Sequence, residues 1–148
     1  MTTAIVAVLG TLAGALLTGV LAHVSQRAQR TADAAAARRA ESLAAITDLA
    51  TALADHRRAM WVREDLRLRG ADWEAARAES HATRSAITAP LLRISIICPE
   101  LTPAAQAAAT AVYGLRGAGS ETVLAAARER AITASDALVT AAGTALAA

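Results

Sequence analysis

The pattern of apolar and polar positions divides this chain into helical stretches, of which the first differs from the rest. From Thr2 through Gln26 there is no Asp, Glu, Lys or Arg, and the first charge is Arg27. Ile5, Val8, Leu9, Leu12, Leu16, Leu17, Val20, Leu21 and Val24 fall all round a helical wheel. A helix apolar on every side is buried in a large protein or in lipid. About 20 such residues at ~1.5 Å rise cross a hydrocarbon core of ~30 Å. The pattern therefore predicts a transmembrane anchor in residues 1–24 and a water-soluble helical domain in residues 25–148.

The flanks of that segment refine the expectation. No positive side chain precedes it and no small-x-small triplet follows it closely, so an uncleaved anchor fits better than a signal peptide. Arg27, Arg30, Arg38 and Arg39 follow the span. The positive-inside rule then puts the N-terminus outside the cell membrane and the C-terminal domain in the cytoplasm, with membrane lipid as a partner. Gly10, Gly14 and Thr18 recur every four residues, a spacing that lets two helices approach closely in lipid and form a homo-oligomer. The bland alternative is that Gly and Ala are simply common in such helices.

Beyond the anchor, residues 25–70 contain neither Pro nor Gly until Gly70. Leu43, Ile46, Leu49, Leu53, His56 and Met60 are spaced by three and four, the stripe of an amphipathic helix. Gly70 suits the residue just after a helix, and Asp72 suits the N-cap of the next. That second helix begins near Trp73 and carries Ala76, Ser80, Thr83, Ile87, Leu91, Ile94 and Cys98 on one face. The stripe keeps its phase across Pro90, which favours a kink over a break. Thr102-Pro103 reads as a cap followed by proline at the first helical position, opening a helix to Arg116. Ser120 caps a last helix with Leu124, Ala127, Ala131, Ser135, Leu138, Ala142 and Leu146 as its buried stripe. Short connections make successive helices antiparallel. The expected fold is all-α: one transmembrane helix continuing into an antiparallel bundle of about four helices, the first over 25–70.

Composition supports the helices and says little about chemistry. Alanine dominates, Phe and Asn are absent, and all fifteen basic residues are Arg. Arg and Ala have GC-rich codons, so the bias fits an actinobacterial type of genome; the functional alternative is bidentate contact with phosphate or carboxylate. A net charge of +2 does not by itself imply nucleic acid, and no direct nucleic-acid binding is expected. The single cysteine, Cys98, lies in an apolar run and reads as a small buried hydrophobe. No zinc, dinucleotide or phosphate-loop motif is present, and no cofactor or catalytic residue is assigned. Antiparallel pairing of the first two helices offers His56 and His81, with Asp55 or Glu79, as a zinc set, but nothing in the spacing fixes their distance. The densest polar cluster, Asp55 to Arg69, offers Arg57, Arg58, Trp61 and Arg63 as a surface for an unidentified protein partner or a second copy. A solvated, salt-bridged helix end is the plainer reading.

The uncharged segment before Arg27, Ala54-Asp55-His56-Arg57-Arg58-Ala59-Met60-Trp61, Arg84-Ser85-Ala86-Ile87-Thr88-Ala89-Pro90 and Pro99-Glu100-Leu101 resemble the KilB group of small streptomycete proteins. The resemblance covers most of the chain. It implies a membrane-associated accessory role in plasmid transfer and spread, and it carries no functional residues over. Taken together, the expectation is a non-enzymatic, membrane-anchored scaffold or interaction protein. The alternatives are a membrane-active toxin or lysis protein oligomerising through its anchor, and a metal-binding module using His56 and His81.

Overall fold

A computed structural model describes the backbone of residues 2–147 and the side chains of residues 21–147. The chain is helical: α1 (Thr2–Leu68), α2 (Glu74–Ile97), a 3-10 turn (Pro99–Leu101), α3 (Thr102–Tyr113) and α4 (Glu121–Ala147). It divides into two compact units, Met1–Ala40 and Glu41–Ala148.

In the first unit every described side chain, from Leu21 to Ala40, is exposed. Over residues 21–40 the exposed side chains leave helix dependent on Ala propensity and on local bonds such as Gln29 Nε2 to Asp33 Oδ1 at 3.0 Å. Among the described residues no helix is long and apolar enough to cross a membrane. This corrects the expected fold class: among the described residues the protein is all-α with four helices, none of them long and apolar enough to cross a membrane. The physical reason lies in the described part of α1, where Arg27, Arg30, Asp33, Arg38, Arg39 and Glu41 interrupt any apolar stretch long enough to span lipid. The side chains of residues 2–20, on which that expectation rested, lie outside the described ones. So do Gly10, Gly14 and Thr18 and the association face assigned to them.

The second unit is an antiparallel helical bundle. Pairing of Asp48, His56 and Arg63 on α1 with Arg93, Thr83 and Ser80 on α2 runs in opposite chain directions. Its core is built from Leu49, Leu53, Ile87, Ile94, Val112, Leu115, Leu124 and Leu138, each essentially inaccessible to solvent. Ala45, Ala105, Ala108 and Ala131 fill the spaces between them, all at 0 % exposure. Small side chains at these points let helices pack closely with little side-chain entropy to lose. Leu43, placed in the stripe by its spacing, is instead 54 % exposed; Ala45 holds the buried position.

The connections follow the local chemistry. Gly70 takes φ 67°, a left-handed conformation that costs Gly little. The Ala71 N–H donates to Leu66 O at 3.0 Å and Gly70 N–H to Arg67 O at 3.2 Å, the paired bonds of a Schellman motif. Asp72 Oδ1 accepts the Glu74 N–H at 3.0 Å, bonding two residues ahead rather than standing at the cap itself. α2 runs unbroken through Pro90. Thr102 makes no side-chain cap and lies inside α3, because the 3-10 turn at Pro99–Leu101 leads straight into that helix. α3 ends at Tyr113 rather than Arg116, and the turn that follows buries Leu115 and Ala118. Ser120 Oγ accepts the Val123 N–H at 3.2 Å and caps α4.

Candidate functional site

The residues assigned to a partner surface divide between two faces of α1. A helix turns ~100° per residue, so Arg57, Arg58 and Trp61 cluster within about a quarter turn while Arg63 points away. The first three, with Ala54, Asp55 and Arg128 of α4, line a shallow groove open to solvent. Arg128 stacks over the Trp61 ring, its guanidinium carbon 5.2 Å from the centroid. Trp61 is half-buried and packs on the core with its remaining face in the groove. Arg58 reaches Asp55 only at 3.9 Å with both side chains mostly exposed, a weak pair. Among the described residues Arg57 makes no ion pair. The groove therefore presents three guanidiniums, one carboxylate and an indole. Arg128 escaped the sequence reading because it is 67 positions from Trp61; the only signal was its place beside the buried stripe position Ala127.

Arg63 belongs to a second, mostly internal cluster that continues the core stripe of α1. After Leu49, Leu53 and Met60 the same face carries His56, Arg63 and Glu64, all buried. Glu64 is 1 % exposed and lies between two arginines: Arg67 Nε donates to its Oε2 at 2.7 Å, and Arg63 Nε stands 3.6 Å from its Oε1. Arg67 also donates to the Ala118 carbonyl, tying the end of α1 to the α3–α4 turn. Arg63 Nη1 donates to Ser80 Oγ at 3.2 Å, and Ser80 in turn donates to Arg77 O at 2.8 Å. Arg63 and Arg77 both lie over the Trp73 ring, at 5.3 and 5.8 Å.

His56 anchors the other end of this cluster. Its Nδ1 is 2.9 Å from Thr83 Oγ1, and the same hydroxyl lies 3.0 Å from Glu79 O and 3.4 Å from Ser80 O. With the hydroxyl donating to a backbone carbonyl, its oxygen accepts from the ring and the neutral imidazole carries its proton on Nδ1. Burial, followed by the Arg84 and Arg63 charges, lowers the His56 pKa from 6.5 to about 4. The ring meets Tyr113 edge-on at 5.7 Å. The Arg84 guanidinium carbon lies over the Tyr113 ring, 4.0 Å from its centroid. His81 is exposed and shares a small cavity with His56. Among the described residues no group of three or more His, Cys, Asp or Glu is placed to hold a metal ion. Cys98 is buried in the core.

The profile of the KilB plasmid transfer protein family matches residues 43–146. The chain belongs to the KilB family. Protein KilB of Streptomyces lividans is 54 % identical over 145 residues, covering 96 % of each chain. No solved structure matches. The family match starts at Leu43 and takes in nearly the whole bundle, so both polar clusters lie within the KilB region.

Proposed function

We propose that this KilB-family chain is a non-enzymatic interaction protein of plasmid transfer, which docks a partner protein bearing an acidic segment in the groove beside Trp61. The observation that carries the reading is the Arg128–Trp61 stack beside the unpaired Arg57. A half-exposed indole flanked by guanidiniums is the residue pairing that dominates binding energy at protein interfaces. Guanidiniums match carboxylates bidentately, which favours acidic partners. A nucleic acid is less well suited, because Asp55 lies in the groove and Glu129 adjoins Arg128. The family's role in plasmid transfer supplies the process.

The test is complementation of plasmid transfer in a host whose copy of this gene is disrupted. Arg57→Glu with Arg128→Glu reverses the groove's charge while leaving the core untouched. It is expected to abolish complementation at unchanged protein level and helicity. Full complementation by the folded double variant would overturn the assignment of the groove.

A further inference from the structure

On the face of α1 opposite the Trp61 groove, α1, α2 and the end of α3 enclose a cavity of about 20 Å³, room for a single water molecule. Its wall is unusual in charge. Arg63, Arg84 and Arg116 contribute guanidiniums, and His56 and His81 contribute imidazoles, with no carboxylate among the lining residues. Among the described residues neither Arg84 nor Arg116 makes an ion pair. Arg63 is nine-tenths buried, yet its Nε has no hydrogen-bond acceptor; the Glu64 oxygen at 3.6 Å is out of reach. Glu64 balances the Arg63 charge at ion-pair distance, but the buried Nε–H is left without an acceptor, which costs more for a guanidinium than for a neutral group.

We propose that this cavity is a binding site for a terminal phosphate group. One phosphate oxygen would occupy the space of the single water, beside Arg63 and Ser80. The remaining oxygens would meet Arg84 and Arg116 at the exposed mouth. Arg84 is held for this by Tyr113, whose ring centroid lies 4.0 Å from the guanidinium carbon. Three arginines without a lining acid suit a dianion better than a monovalent carboxylate. The limited depth suits a terminal monoester or free phosphate, whose oxygens are not blocked by a second ester bond. The site is separate from the Trp61 groove and its argument does not depend on that reading.

The low proton affinity of His56 fits the same picture. Burial disfavours the charged ring most, and Arg84 beside Thr83 on α2 and Arg63 on α1 add to it, with Tyr113 on α3 against the ring. A bound phosphate would offset the arginines' share.

The experiment uses the full chain at pH 7 and low salt, titrated by calorimetry with inorganic phosphate, phenyl phosphate and acetate. One-to-one saturable binding of phosphate is expected, weakened at least tenfold in each of Arg84→Gln and Arg116→Gln. Both residues are exposed, so thermal melting can verify that the variants fold. Proton NMR of the His56 ring should show its titration move upward from about 4 when phosphate is bound. Tighter binding of phenyl phosphate would identify a phosphate carried on a larger molecule, and equal or weaker binding a free anion; either supports the site. Acetate binding as tightly as phosphate, no saturable binding of either phosphate probe, or binding indifferent to both substitutions would overturn it.

Discussion

Arg128 of α4 stacks 5.2 Å from the centre of the Trp61 ring on α1. The contact joins two helices at the rim of the bundle. It also fixes the orientation of an indole that is otherwise only half covered. An interaction of this kind at an exposed position contributes on the order of 0.5–1 kcal/mol, too little to be a main support of the fold. Its consequence is local: it sets one wall of a groove in which Arg57 has no acidic partner.

Arg128→Ala should therefore lower unfolding stability by less than about 1 kcal/mol. It should also shift Trp61 emission to the red as the ring gains water. Trp73→Phe removes the second tryptophan so that fluorescence reports Trp61 alone. Urea unfolding and emission spectra check both outcomes.

Glu64 is different in kind, because its carboxylate is buried between Arg63 and Arg67. Removing one member of a buried ionic cluster strands the opposite charge and typically costs ~3–5 kcal/mol. Glu64→Ala should cost within that range in urea unfolding. Exposed Asp55→Ala should change stability by less than about 0.5 kcal/mol, since its pair with Arg58 is long and solvated.

The acid limb of stability should carry the signature of His56. Its folded-state pKa is depressed to about 4 from 6.5, so the unfolded chain takes up the proton first as pH falls. The contribution is fully present above pH ~6.5 and is lost progressively down to about 4. Melting temperature of the wild type should fall faster across this window than that of His56→Gln. Parallel curves for the two proteins would contradict the buried, neutral imidazole.

Gly70 closes α1 with a positive φ and no atom near its missing Cβ. Gly70→Ala should cost about 1–2 kcal/mol through backbone strain alone, with little change in the denaturant dependence of unfolding.

What was legible in the sequence was local. Gly70 and Ser120 mark helix ends because each acts through its own backbone or nearest neighbours. The stripe of α4 is equally plain: Leu124, Ala127, Ala131, Leu138 and Ala142 are buried as their spacing implies, and Ser135 and Leu146 partly so. Leu43 misled because hydrophobicity outranks size in a periodic reading, whereas this bundle uses Ala45 at the contact. The uncharged N-terminal segment was read as a membrane span, yet no described helix satisfies that requirement. The site was harder still. Arg57, Arg58 and Trp61 share a face through helical geometry alone. Arg128 over Trp61, Arg84 over Tyr113 and Arg67 on Ala118 depend on how separate helices pack, and a buried Glu64 looks no different in sequence from a solvated one.

The most direct measurement of the central claim is plasmid transfer frequency in cells carrying the folded Arg57→Glu/Arg128→Glu protein as their only copy of this chain. If the groove beside Trp61 docks the partner, transfer should fall to the level of the gene disruption while Arg93→Glu, a charge reversal elsewhere on the bundle, retains it. Transfer at the wild-type level in the groove variant, with normal protein abundance and melting temperature, would contradict the account.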